Sequence, residues 1–600
     1  MKAKIRRMFA ALAAITLALS LGACAPAEQQ TAETPETVEQ QAETQGAVLD
    51  DYSGKTVILH SNDVHGAIMG YAYIAALKTD FQDKGAEVIL ADAGDFSQGD
   101  PTVSLSKGAD AVAMMNAAGY DVVTLGNHEF DFGYEQLMEN LEEAEFSAIC
   151  ADVYEGDSAI LPPTWMYEDA DAGLKIGFFG METPETQTKV NPGLIQDIRF
   201  VSNTSGGEET LYTCAQEQID ALRADGADVV IALAHLGVDA ESAPDGHRSV
   251  DLYRNTEGID LILDGHSHTV MTCWADEAPY NPFDPEAKEP GDGADVIPVQ
   301  STGTKFANVG VVVIDNESKA IEDHYLLPTT VTENDEIVSE MEKDAAVAAQ
   351  AQAIIDRVDE EYGEVFAHSE ILLNGERAPG NRTEETNLGD LITDAIVWKV
   401  LKEEGAVSVD DDHVVGITNG GGIRASIQPG DVTRKDLNTV LPFGNTIAVV
   451  YVTGEKLLEA LEASTYATPE EIGGYPQTFG IEFALDTTKP FDQGEAYPDS
   501  TYYSPASIKR VTITAINGEA FDPEALYAVV TNNFCAAGGD TYYAFKTAVA
   551  KFDTGIVMDE AVMEYVAEAL GGVISVEPYE TPRGDQTILT GADFGETSEG

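Results

Sequence analysis

The sequence predicts an α/β protein made of two folded units. Three observations carry this. From Thr56 onward, short aliphatic runs alternate with amphipathic helical stretches, the pattern of α/β layering. A polar, alanine-rich helical stretch over about Asn334–Tyr362 then interrupts the alternation and reads as a connector, after which strand and helix patterns resume. The length of 600 residues suits two to four domains at roughly 150 residues each.

The first residues stand apart from the fold. Lys2, Lys4, Arg6 and Arg7 precede an apolar run from Met8 to Leu21, which is too short to span a bilayer comfortably. The run ends in Leu21-Gly22-Ala23-Cys24, which resembles a bacterial lipobox, so residues 1–24 are expected to be a lipoprotein signal with Cys24 lipidated. Residues 25–50 carry six acids, no Lys or Arg and no aromatic residue, and read as a disordered, self-repelling tether. The first folded unit is placed at 51–332, the connector at 333–363, the second unit at 364–590 and a frayed tail at 591–600. The expected location is the outer face of the cell membrane.

The strands of the first unit are Thr56–His60, Glu87–Ala91, Asp121–Leu125, Lys175–Phe179, Asp228–Leu233 and Ile259–Leu263. Each is short and aliphatic, as strands buried on both faces should be. Amphipathic stretches Tyr71–Lys84, Ala109–Ala118 and Tyr134–Ala144 lie between them. In the second unit the same reasoning gives a helix over Asn387–Leu401 and strands at Val414–Ile417 and Thr446–Val452. Cys150, Cys214, Cys273 and Cys535 are widely spaced, with no Cys-x-x-Cys pair, which leaves both disulfides and buried thiols open.

The chain has 33 Lys and Arg against 105 Asp and Glu, a formal net charge of −72. That excludes a binder of nucleic-acid polymers working through a basic face, and it opposes docking on anionic lipid by charge alone. With 44% hydrophobic and 23% charged residues, global disorder is excluded as well. An acidic protein that handles phosphate must bring positive charge locally, as a few arginines or as metal ions.

Five of the six strands end in metal-ligand residue types: Asp63 and His65, Asp95, Asn127 and His128, His235, and His266 and His268. Ligands in open α/β sheets bind beyond the carboxyl ends of strands. Asp63 and His65 are two apart, as are His266 and His268, so in extended chain each pair points to one side. Asp95 offers two oxygens and is suited to bridging two cations. The mixed N/O set fits Zn or Mn, or Fe, rather than Ca or a thiolate metal. Two such ions roughly 3.5–4 Å apart clamp an in-line phosphoryl displacement. A lone Gly-Asp or Asp-x-His means little; seven ligand types falling in order at successive strand ends mean much more.

This ordered set, Asp63-x-His65, Gly94-Asp95, Gly126-Asn127-His128-Glu129, His235 and Gly265-His266-x-His268, resembles the calcineurin-like metallophosphoesterase superfamily. The resemblance implies a four-layer α/β/β/α sandwich. It implies one metal on Asp63, His65, Asp95 and His268, and a second on Asp95, Asn127, His235 and His266. It also makes His128 the catalytic histidine and Asp131 its orienting carboxylate. Some members of a narrower family within it carry Gln or Asn in place of His268.

The second unit narrows the resemblance. Arg382-x4-Asn387-Leu388-Gly389-Asp390, Asn419-Gly-Gly-Gly-Ile-Arg424, Leu441-Pro442-Phe443-Gly444-Asn445 and Phe534-x5-Asp540 are similar to the C-terminal domain of 5′-nucleotidases, a family that includes periplasmic UDP-sugar hydrolases and ecto-5′-nucleotidase. The match runs over about Lys55–Leu589. The family implies that Phe443 and Phe534 sandwich a base. Arg382 and Arg424 would bind phosphate and ribose, with Arg377 as a competitor for the Arg382 role. Asn419 and Asn445 would contact the base edge or nearby groups, and Asp540 the ribose hydroxyls. The expectation is an extracytoplasmic hydrolase with two divalent ions, Zn, Mn or similar, that converts 5′-nucleotides to nucleoside and phosphate for salvage. The same site would serve a 2′,3′-cyclic-nucleotide phosphodiesterase or a UDP-sugar hydrolase. A non-catalytic nucleotide-binding lipoprotein is the reading from another class, and it has no need of the metal ligands.

Overall fold

The computed structural model describes residues 49–591, apart from 192, 205–209, 240–241, 286, 292, 334–335, 403–406 and 499. The signal segment with Cys24, nearly all of the tether and the tail beyond 591 lie outside the described residues. Among the described residues no helix is long and apolar enough to cross a membrane.

Strands β1 (Lys55–Ser61), β2 (Glu87–Asp92), β3 (Val122–Thr124) and β4 (Ser147–Ile149) run parallel. They are joined through α1 (Gly70–Asp83), α2 (Ala109–Ala118) and α3 (Tyr134–Glu142). Strands β5 (Thr164–Asp169) and β6 (Leu174–Glu182) pair as a hairpin. Parallel to β6 lie β7 (Val229–His235), reached through α4 (Leu211–Ala224), and β8 (Leu261–Asp264). Then come β9 (Val270–Met271), β10 (Val299–Thr302), and two long strands, β11 (Asn308–Asp315) and β12 (Ala320–Pro328), that return to the first sheet. The sheet orders are β12-β11-β1-β2-β3-β4 and β9-β10-β8-β7-β6-β5.

Alternate residues of each strand enter different cores, which is why the runs read as continuously apolar. Ile58 of β1 and Ile89 of β2 face Phe178, Ile231 and Leu263 of the other sheet, while Val57 and Leu59 pack outward with α1 and α2. The outer face of the second sheet packs on α4 through Cys214, Ile219 and Leu222. The result is the four-layer α/β/β/α sandwich.

The connector differs from the sequence reading. Helix α5 spans Ala345–Tyr362, while the chain before it forms a hairpin of Thr330–Glu333 with Glu336–Glu340. Asp344 starts the helix by accepting hydrogen bonds from the N–H groups of Ala346 and Val347. The buried stripe is Val347, Ala351, Ile354 and Val358, and Ile337 is exposed on the hairpin. The helix starts later than the sequence predicts, because the acidic cap Asp344 stops it from extending backward.

The second unit holds α6 (Asn387–Leu401), β13 (Val414–Asn419), β14 (Thr446–Thr453), α7 (Gly454–Ser464), β15 (Pro476–Phe479), β16 (Leu526–Asn532), α8 (Asn533–Ala537), β17 (Ala550–Val557) and α9 (Met558–Glu568). Its main sheet has the order β15-β13-β16-β14-β17. One face packs on α6 and α9, the other on α7 and α8. Cys150, Cys214, Cys273 and Cys535 are free and buried, so no disulfide joins them.

Candidate active site

The loops beyond β1, β2 and β8 are strained where they carry ligands. Asp63, His65, Asp95, His266 and His268 have φ of 50°, 45°, 64°, 71° and 55°. This corrects the expectation of extended chain: Asp63 and His65, like His266 and His268, converge through left-handed turns and not through strand alternation. A left-handed conformation costs a side-chain-bearing residue about 1–3 kcal/mol. Neighbouring loops hold it in place. The Asp63 N–H donates to Gly94 O at 2.9 Å, and the His65 N–H to Asp95 O at 3.1 Å. The buried Glu129 carboxylate accepts from the N–H groups of Asp95, Phe96, Ser97 and Gly126. At Gly126 a Cβ would lie 2.4 Å from Asp95 Oδ1 and 2.8 Å from His235 Cε1, so no side chain fits there.

The seven side chains gather into one place. His65 Nε2 lies 3.0 Å from His268 Nε2, 3.6 Å from Asp95 Oδ2 and 3.9 Å from Asp63 Oδ1. His268 Nε2 is 3.4 Å from Asp63 Oδ1, and His235 Nε2 is 3.1 Å from Asp95 Oδ2. His266 Nδ1 is 2.9 Å from Asn127 Oδ1. Asp63, His65 and His268 form one group whose ligand atoms lie within 4.8 Å of one another, and Asp63, Asp95 and His235 form another. The arrangement fits divalent metal. His235 Nε2 is fully buried, and its neighbour Asp95 Oδ2, 3.1 Å away, is not aligned with it as a hydrogen-bond partner, an expensive state for a ring nitrogen unless it ligates. The other ring nitrogen, His235 Nδ1, lies 2.6 Å from Ala93 O, which fixes the ring and presents Nε2. Burial lowers the pKa of His65 and of His268, towards the neutral form that binds metal, whereas at His235 burial is outweighed by the Asp95 carboxylate, which raises it.

His128 stands beside this cluster. Its Nδ1 lies 2.6 Å from Asp131 Oδ2, and its N–H donates to Asp95 Oδ1 at 2.9 Å. Burial opposes its charge, but Asp131 and Asp95 outweigh burial and raise its pKa above the ordinary value. Sequence reasoning missed Glu185. Strand β6, the one strand end left without a cluster, runs three residues past the expected Phe179 to Glu182. The turn beyond it places Glu185 Oε2 3.3 Å from His266 Nε2. Burial works against the Glu185 charge, and His266 and Lys189 hold its pKa below the usual carboxylate range. The signal available in sequence was the pair of acids Glu182 and Glu185 at that strand end.

The second unit closes over the same spot. A cavity of about 710 Å³ is lined by Asp95, Asn127, His128, His266 and His268 on one side and by Arg382, Asn419, Arg424, Phe443, Asn445, Phe534 and Asp540 on the other. Phe443 stacks on His128, with centroids 5.8 Å apart and rings 27° from parallel, and the Arg424 guanidinium lies 5.8 Å from the Phe443 centroid. Phe534 is set in α8 and lines the cavity from the domain core. Asn419 is turned inward: its amide donates to Asp540 Oδ2 at 2.8 Å, and its oxygen accepts from Asn532 at 3.0 Å. It therefore braces Asp540, whose Oδ1 lies 3.9 Å from Lys189 Nζ. The triple glycine also has a structural duty, since a Cβ at Gly420 would lie 1.9 Å from Asn381 O, on the loop that carries Arg382. Burial, then Arg377 and Arg424, push the Arg382 guanidinium down to about 9.

A four-layer sandwich with Asp, His and Asn side chains converging at its strand ends defines a metallophosphoesterase, a metal-dependent hydrolase. A family model described as calcineurin-like phosphoesterase matches residues 56–270, and one described as the 5′-nucleotidase C-terminal domain matches 365–547. The chain belongs to the 5′-nucleotidase family. It is 28% identical over 564 residues to a 5′-nucleotidase of Homo sapiens, covering 87% of this chain and 90% of that one. It is 29% identical over 560 residues to the trifunctional nucleotide phosphoesterase protein YfkN of Bacillus subtilis, of which it spans about a third, 34%. Among solved structures it is similar to a 5′-nucleotidase precursor from Thermus thermophilus, with a TM-score of 0.70, 27% identity, and coverage of 89% of this chain and 99% of that one.

Proposed function

We propose that the protein hydrolyses nucleoside 5′-monophosphates to nucleoside and phosphate outside the cytoplasm, for salvage. One observation carries the reading. A single cavity is lined both by the metal-ligand cluster and by arginines, an acid and two phenylalanines suited to a nucleotide. Export and anchoring through Cys24 are supported by the basic, apolar and small-residue pattern of residues 1–24.

In this reading Asp63, His65, Asp95 and His268 hold one ion, and Asp95, Asn127, His235 and His266 the other. When bound, divalent ions supply Lewis-acid activation of the phosphoryl group and of the attacking water. The protein's own groups do the rest. Arg382 and Arg424 take phosphoryl oxygens through charge-assisted hydrogen bonds. His128, kept protonated by Asp131, donates to the oxygen on which charge develops. Phe443 and Phe534 hold the base, and Asp540, braced by Asn419, accepts from ribose hydroxyls.

The test is a phosphate-release panel of AMP, UMP, 2′,3′-cyclic AMP, UDP-glucose and a sugar phosphate, with Mn or Zn added. AMP and UMP are expected to be the best substrates. Chelation should abolish release and Mn or Zn restore it. Full activity in a demonstrably metal-free preparation would overturn the mechanism, and preference for the sugar phosphate would overturn the nucleotide reading.

A further inference from the structure

The cavity wall holds three arginines, and one of them is unlike the others. Among the described residues the Arg382 and Arg424 guanidiniums make no ion pair. Arg377 is clamped by Glu471: Nε to Oε2 is 3.2 Å and Nη2 to Oε1 is 3.2 Å, a bidentate pair. Arg377 and Glu471 both line the cavity beside Arg382, Arg424 and His268. They come from different segments, the loop Arg377–Asn381 and the Tyr466–Glu471 stretch after α7.

The guanidinium fork that matches a carboxylate also matches a phosphoryl group. While Glu471 occupies it, Arg377 is closed to substrate. The charge on the wall follows. Pairing with Glu471 neutralises Arg377 and leaves Arg382 and Arg424 as the guanidiniums of this wall that a phosphoryl dianion meets without displacing a carboxylate. A nucleotide with a second phosphoryl group would have to displace the Glu471 carboxylate or lie against it, and like charges in a partly enclosed cavity repel strongly.

We propose that Glu471 is a specificity-determining residue: by holding Arg377 it tunes the cavity to nucleoside monophosphates and against nucleoside diphosphates and nucleotide sugars. The inference rests on the nucleotide-hydrolase reading above. Hydrolysis of ADP breaks the bond between the terminal phosphorus and the bridging oxygen. The oxygen of water forms the new bond, the bridging oxygen leaves on AMP, and the water proton is released. The phosphoryl group left on AMP is the one that Arg377 would hold.

The experiment measures kcat/KM for AMP and ADP, from initial rates of substrate loss, in the unsubstituted protein, Glu471→Gln, Arg377→Ala and the double variant. Glu471→Gln should raise the ADP-to-AMP ratio by ~10-fold, and the gain should vanish in the Arg377→Ala background, as for a coupled pair. An unchanged ratio in Glu471→Gln, with AMP still hydrolysed by the unsubstituted protein, would overturn this inference alone. A gain that persists without Arg377 would also overturn it, since the effect would then be general repulsion by Glu471. Failure of the unsubstituted protein to hydrolyse either nucleotide would overturn the reading beneath it.

Discussion

Asn127 and His128 are chain neighbours with different duties in the proposed mechanism. Asn127 Oδ1 meets His266 in the ligand cluster, whereas the His128 ring is held by Asp131 under Phe443. His128→Ala should therefore lower the rate by about 10²–10⁴, the range for acid–base assistance, while both metals stay bound. Asp95→Ala should lose metal, because its carboxylate faces His65 and His235 at once. Metal content measured alongside phosphate release separates the two. An empty metal site in His128→Ala would show the division of labour to be wrong. At this scale the residue types were readable in the chain, since imidazole, carboxylate and amide side chains are what a divalent ion requires.

At the scale of elements, strand ends position the chemistry. Parallel β1, β2 and β3 in one sheet and β6, β7 and β8 in the other deliver their carboxyl ends to one edge, so each loop beyond them carries a piece of the site. Strand β6 delivers Glu185 to His266 across 81 residues of chain. A metal-ligating histidine is oriented by the partner of its other ring nitrogen, and loss of such partners typically costs 10–100-fold in metal affinity or activity. Glu185→Gln should weaken binding of the ion held by His266 by about that much, measured by metal titration, with the fold intact by circular dichroism. Unchanged affinity would remove Glu185 from the site. The sequence placed α2 and α6 at their observed ends and missed the hairpin before α5. Strong apolar periodicity marks an element, while a polar alanine-rich stretch leaves its start to a single capping carboxylate, Asp344.

At the scale of the whole molecule, the metal cluster and the two phenylalanines belong to different folding units that share one cavity. Phe443→Ala with Phe534→Ala should remove about 2–6 kcal/mol of base stacking. Much of it should appear in kcat/KM for AMP, because binding energy from the base positions the phosphate. Metal content and hydrolysis of a small phosphate ester without a base should change little. Equal losses on both substrates would mean that the second unit had unfolded, and no loss on AMP would place the base elsewhere.

Sequence alone determined the α/β class, the order of ligand residues at successive strand ends and the turns that carry Arg424 and Phe443. All of these are local: strand periodicity, turn chemistry and residue type are written within a few positions. The tertiary structure decided what depends on distance through space. It turned Asp63, His65, Asp95, His266 and His268 into left-handed backbone, and it made Asn419 a brace for Asp540, 121 residues away. It also joined Arg377 to Glu471 across 94 residues. Which partner a charged side chain finds is set by how the loops are packed, and no spacing along the chain encodes that.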